Sequence, residues 1–251
     1  MPTVHFHGRV LPEVVNVSLD NSPPVTWQKP ELGLVMEFTT RITRSKIDVE
    51  CKLNRWQHDD DFLPVYIRAL DLCRASVDLI AFSMGYGLTV YLDTFINPDG
   101  AQSSLLSKDD GLAPLCTAFS PKVGFHEVHN MVLQEPALFM ALNDLISAIT
   151  LPHQSPVNCA RAMDRIKHLI APGAANDKDA WRQMRNALRV DEAYLKFITD
   201  HSAAPRHGRP GHIPGNITTE VTRRAWTVMN RYFELRKAGG SLPAHFSLLK
   251  G

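Results

Sequence analysis

The sequence predicts an α+β protein, with an N-terminal antiparallel β-module followed by a larger C-terminal helical bundle. Two observations carry this. Through the first sixty residues apolar side chains alternate with polar ones, and from Asp59 onward they recur at three- and four-residue spacing. With 251 residues, 44% of them hydrophobic, the chain has ample material for a core. The expected division is a β-module over residues 1–58 and a mainly helical domain over 59–251.

Val15, Val17 and Leu19 alternate with polar neighbours, as do Leu34, Met36, Phe38 and Ile42, and then Ile47, Val49, Cys51 and Leu53. Each run reads as a strand with one buried face. The segment TRSK, Thr43 to Lys46, separates the last two and makes a hairpin connection, whereas DNSPPVTWQKPELG holds too much proline for a central strand. At Asp59 the period changes. DDDFLPVYIRALDLCRASVDLIAFSMG opens with acidic residues suited to a helix N-terminus, has Pro64 near its first turn, and repeats Val65, Ala69, Leu72, Ser76 and Ile80 at helical spacing. YGLTVYLDTFINPDG fits either a continued helix or a strand, closed by the turn NPDG. Residues 101–134 read as irregular.

From Glu135 the pattern is helical. Leu138, Leu142, Leu145 and Ile149 form one stripe; Ser155 is then expected to cap a helix with Pro156 at its first position and Cys159, Met163, Ile166 and Ile170 as its stripe. Asp177 is expected to cap a third helix carrying Trp181, Met184 and Leu188, and Asp191 a short continuation through Tyr194, Leu195 and Ile198. A connector rich in histidine, glycine and proline, FITDHSAAPRHGRPGHIPG, intervenes before a last helix that begins at Thr218 or Thr219 and stops at Gly239 and Gly240.

Charge and cysteine usage narrow the function classes. Twenty-seven basic residues against twenty-six acidic ones leave a net charge near +1, so any binding of nucleic acid must come from a local patch. Cys51, Cys73, Cys116 and Cys159 are far apart and apolar in setting, which reads as core thiols in a reducing cytoplasm. No basic segment followed by an apolar run opens the chain, and no stretch is apolar for long enough to span a bilayer, so neither export nor a membrane partner is expected.

The candidate chemistry lies in the connector. Arg206 to His212, RHGRPGH, fits the pattern Arg, polar residue, four others, His, and it precedes the last helix of a bundle of about four helices. This combination resembles the HEPN superfamily (higher eukaryote and prokaryote nucleotide-binding), over roughly residues 133–238. The resemblance implies metal-independent RNA cleavage at a cleft between two paired bundles, hence a homodimer, in the setting of a bacterial defence or toxin-type system. It makes Arg206 the phosphate-binding residue and His212 the acid/base, with His207 at the polar position. Because Gly208, Pro210 and Gly211 prevent a helix across the motif, His207 is the alternative imidazole. An imidazole exchanges protons near neutrality and a guanidinium grips phosphate oxygens through two N–H groups, so the residue types suit attack by a ribose 2′-hydroxyl.

Arg209 in the connector, Arg182, Arg185 and Arg189 on the third helix, and Arg223, Arg224 and Arg231 on the last are the expected substrate-binding cations, if the two arginine faces flank the loop. A solvated face is the commoner meaning of such spacing. The rival function is a non-catalytic bundle that binds nucleotide, RNA or a protein partner, with the β-module as its recognition surface.

Other motifs weigh less. His201, His207 and His212 with Asp200 form a metal-ligand set of no recognised spacing, and His126 and His129 lack the order of a zinc hydrolase helix. His5 and His7 share one face of a strand. Ala81 to Gly85, AFSMG, fits a loose nucleophile elbow but ends a helix instead of a strand. There is no phosphate-binding glycine loop or dinucleotide fingerprint, and neither metal nor cofactor is expected.

Overall fold

The computed structural model describes residues 1–19, 23–105, 109–151, 154–207 and 213–251. It is α+β, and it divides into two compact units, Met1–Leu106 and Ser107–Gly251. The boundary therefore falls well beyond residue 58, because a strand that follows the first long helix returns to the sheet.

The first unit is a six-stranded antiparallel sheet with one helix on it. The strands are β1 (Thr3–Leu11), β2 (Val25–Lys29), β3 (Leu34–Thr43) and β4 (Lys46–Leu53), then β5 (Thr89–Ile96) and β6 (Gln102–Ser104) after helix α1 (His58–Met84). Their spatial order is β2-β3-β4-β1-β5-β6. Because β5 returns to pair with β1, the segment that fitted either helix or strand completes the sheet, and α1 belongs to the same unit. The proline-flanked β2 is an edge strand, as its composition requires.

Alternation sorts the two faces. Val4, Phe6, Met36, Phe38, Val49 and Cys51 point to a core sealed by Val65, Ala69, Cys73 and Val77 of α1. The opposite face carries cross-strand polar pairs: His5 stands opposite Glu50, and His7 Nδ1 lies 2.6 Å from Asp48 Oδ1. The TRSK hairpin forms with Arg44 and Ser45 both left-handed (φ 49° and 61°), the requirement of a two-residue type I′ turn. Ser45 is fully buried there and its Oγ accepts from the Val17 N–H at 2.9 Å. The expected strand around Val15–Leu19 does not form. Glu13–Val15 is a single 3-10 turn closed by left-handed Asn16 (φ 56°), and Leu19 meets Ile42 only through one isolated bridge.

Helix α1 opens with Asp59, Asp60 and Asp61 at its positive end, and Asp61 Oδ2 accepts the Gln57 N–H at 2.7 Å. It closes on left-handed Gly85 (φ 67°). Ser83 lies in its last turn with Oγ donating to the Ile80 carbonyl at 2.9 Å, a helix-end hydroxyl and not a nucleophile elbow.

The second unit is helical: α2 (Phe125–Gln134), α3 (Pro136–Thr150), α4 (Ser155–Ile170), α5 (Asp177–Leu188), α6 (Glu192–Arg206) and α7 (Gly215–Lys237). Helix α4 packs against α3, α5, α6 and α7, so its Cys159, Met163 and Ile166 lie at the centre of the core with Leu138, Leu145, Met184, Ile198, Val221 and Val228. No single helix among the described residues is long and apolar enough to cross a membrane.

Several helix ends differ from expectation. Ser155 is the first residue of α4 instead of its cap, because its buried Oγ pairs with Thr222 Oγ1 at 2.7 Å. Asn176, not Asp177, caps α5 by accepting the Asp179 N–H at 2.9 Å, and the Asp177 carboxylate turns to Lys167. Asp191 caps α6 as its sequence predicts, accepting the Tyr194 N–H at 2.7 Å. The connector is shorter than it reads, since α6 continues to Arg206 with Pro205 in its last turn, and α7 already begins at Gly215.

Candidate functional site

Arg206 is the last residue of α6 and His207 its C-cap. The His207 N–H is taken up by the carbonyls of Ala203 and Ala204, each at 3.2 Å, which fixes the backbone while the imidazole stands exposed. The Arg206 side chain is 45% exposed, and its Nη1 lies 3.7 Å from Asp164 Oδ2 on α4. The two groups with phosphate and proton chemistry are thus neighbours at an exposed helix end. Arg209 and His212 lie outside the described residues.

Two other histidines of this unit pack on aromatic rings. His201 stacks on Phe197 with ring centroids 4.6 Å apart, and its Nδ1 lies 2.7 Å from the Phe197 carbonyl. His129 lies parallel to Phe125 at 5.7 Å. Among the described residues no group of three or more His, Cys, Asp or Glu side chains is placed to hold a metal ion.

Among the described residues the arginines do not form one open cleft. Arg223 makes a two-pronged contact with Asp109, Nε to Oδ2 at 2.9 Å and Nη2 to Oδ1 at 2.8 Å. That hydrogen bonding raises the Arg223 pKa and holds the Asp109 carboxyl below the usual carboxylate range. Arg182 pairs with Asp179, and Arg185 Nη2 lies 3.7 Å from Glu192. Arg224 donates to Glu220 at 2.6 Å and lies over the Phe197 ring at 4.2 Å.

Arg189 and Arg231 depart furthest from a substrate-binding role. Arg189 stands in the left-handed position after α5 (φ 51°) and donates to the carbonyls of Leu242, Pro243, Ala244 and Phe246. Arg231 is buried and donates to the carbonyls of Leu188, Arg189 and Ser247. Burial lowers its pKa. These two guanidinium groups fasten the C-terminal tail to the bundle, a role invisible to spacing along one helix.

Sequence reasoning also missed a charge cluster beneath Arg206. Lys167 is buried on α4, donates to Asp164 Oδ1 at 3.2 Å and Asp177 Oδ1 at 2.5 Å, and lies 4.7 Å from the Trp181 ring centroid. Its hydrogen bond holds the Asp177 carboxyl below the usual range. A lysine flanked by Ile166 and Ile170 within an apolar stripe is the sequence signal, since such a cation needs a partner to be buried.

Fold and site together define a two-unit protein: an antiparallel sheet with one helix, and an α-helical bundle with an Arg-His pair at the end of its penultimate helix. Residues 4–106 match the family model described as the N-terminal domain of a domain of unknown function (DUF8168), and residues 125–237 match its C-terminal domain. By these two matches, in that order, the chain belongs to the DUF8168 family. Neither the curated proteins nor the solved structures hold a match to it.

Proposed function

We propose that the C-terminal unit is a HEPN-like bundle that cleaves RNA without a metal, with Arg206 holding the scissile phosphodiester. His207, or His212 beyond the described residues, takes the proton from the ribose 2′-hydroxyl as that oxygen bonds to phosphorus. The 5′-oxygen leaves with a proton returned by an imidazole, giving a 2′,3′-cyclic phosphate and a 5′-hydroxyl. The observation that carries this reading is the exposed Arg206–His207 pair, whose guanidinium is held among the described residues by one 3.7 Å ion pair while Arg189 and Arg223 are tied by short bonds. An exposed guanidinium and an imidazole on neighbouring residues are the groups that hold and cleave a phosphodiester. The working unit in this reading is a homodimer in the cytoplasm, with a second copy completing the cleft and Arg185, Arg209 and Arg223 bordering it.

The second reading is a bundle that binds RNA, nucleotide or a protein without cleaving. It is favoured by the engagement of Arg189 and Arg231 with backbone carbonyls, which removes two of the cations expected to line a cleavage cleft. The test is incubation of the purified full chain with end-labelled RNA in buffer containing a chelator. Cleavage lost in Arg206→Ala and in either His207→Ala or His212→Ala supports the nuclease. Intact RNA that is nonetheless bound gives the second reading.

A further inference from the structure

Arg206 has a fixed neighbour. Asp164 divides its carboxylate, with Oδ2 lying 3.7 Å from Arg206 Nη1 and Oδ1 accepting from Lys167 Nζ at 3.2 Å. The Lys167 side chain is 4% exposed and is itself held by Asp177 and by the face of Trp181. A buried ammonium with two carboxylates and an aromatic ring around it has little freedom, so the Asp164 oxygen it holds is a fixed point on α4. The second oxygen then faces a guanidinium at the end of a different helix, α6.

An exposed ion pair at this distance adds little to stability. Its consequence is orientation. A guanidinium on a long stem samples many rotamers, and a fixed carboxylate on one side favours those that leave its remaining N–H groups free for a ligand. Lys167 also offsets the Asp164 charge, which lessens repulsion of an incoming phosphodiester.

We propose that Asp164, held by the buried Lys167, is a positioning residue that pre-orients Arg206 for a phosphodiester, an inference that rests on the Arg206–His207 reading. Loss of pre-orientation raises the apparent dissociation constant in inverse proportion to the competent fraction that remains. If about a tenth to a fifth of the Arg206 population stays competent, binding weakens about five- to tenfold.

The probe is a fluorescein-labelled, fully 2′-O-methylated oligoribonucleotide, which binds without a 2′-hydroxyl to react. Its affinity for the full chain is measured for wild type, Asp164→Asn, Asp164→Glu, Arg206→Ala and the Asp164→Asn/Arg206→Ala double variant, each checked by thermal unfolding. The expected result is five- to tenfold weaker binding by Asp164→Asn, substantial recovery by Asp164→Glu, and no further loss when Asp164→Asn is added to Arg206→Ala. On cleavable RNA the same factor is expected in KM with kcat little changed. Weaker binding from Arg206→Ala but none from Asp164→Asn overturns the positioning role alone, as does a lowered melting temperature with unchanged affinity. Affinity that Arg206→Ala leaves unchanged overturns the underlying phosphodiester reading and this inference with it.

Discussion

Replacing Arg231 by methionine is expected to loosen the C-terminal unit while leaving its helices intact. The residue is 4% exposed and its Nη atoms donate at 2.8 Å to the carbonyls of Leu188, Arg189 and Ser247. Bonds from a charged donor contribute about 1.5 kcal/mol each at the low end, hence about 4–5 kcal/mol before correction. Methionine carries no charge to desolvate and fills much of the same volume, which recovers part of that sum and leaves a net loss of about 3 kcal/mol. For a unit of this size that corresponds to a melting point lower by about 6–12 °C. The assay is urea unfolding of the full chain combined with peptide-resolved hydrogen exchange. Exchange should rise first in residues 242–249, which Arg189 and Arg231 hold to the end of α5. Because both arginines hold the same tail, Arg189→Met and Arg231→Met should be less than additive. A loss under about 1 kcal/mol, or tail exchange unchanged from wild type, would refute the assignment of Arg231 as a structural clamp.

Two further predictions follow from ionisation. The Asp109 carboxyl is depressed chiefly by its hydrogen bond to Arg223, so its contribution is full above the ordinary aspartate pKa of about 3.9 and is lost as pH falls through the lower folded value. Asp109→Asn should therefore be less stable than wild type at neutral pH and converge with it in strong acid, as read by urea midpoints across pH. Burial pushes the Cys51 and Cys73 thiols up to about 12 and Cys159 to about 11, and it also raises Cys116, but Cys116 alone of the four is partly exposed, so iodoacetamide at neutral pH should label it first. Mass spectrometry reads the order, and prompt labelling of Cys73 in folded protein would contradict the packing of α1 on the sheet.

The parts of the fold legible in sequence are those where one physical signal dominates. Strands β3 and β4 follow from strict alternation, and the hairpin between them from its length, although Arg44 and Ser45 lack the glycine that usually marks a type I′ turn. Alternation misleads at Val15–Leu19 because Asn16 breaks the extended backbone there, which apolar spacing does not register. Strand β5 reads ambiguously because a short apolar run fits both periods, and its pairing with β1 is contact between residues as distant in sequence as His5 and Ile96. The caps of α4 and α5 miss by one residue, since tertiary partners, Thr222 for Ser155 and Lys167 for Asp177, draw away the side chains that local logic assigns to capping.

The arginines show why a candidate site is harder to read than a fold. Helical spacing places Arg182, Arg185 and Arg189 in sequence order along α5, but it says nothing of what each side chain meets. Arg189 meets carbonyls more than fifty residues away, whereas Arg182 and Arg185 meet carboxylates of their own or the next helix. In a chain with 27 basic and 26 acidic residues, local pairing of this kind is the expected fate of a cation. What distinguishes Arg206 is therefore its availability to a ligand, since it ends a helix, stands half exposed and faces a carboxylate already shared with Lys167. The connector's histidines first draw attention to the region, yet His201 proves to be a helical residue packed on Phe197, which leaves His207 as the described imidazole beside that arginine. The chemistry proposed for this end of the bundle accordingly depends on a half-buried aspartate held by a buried lysine as much as on the motif that announces it.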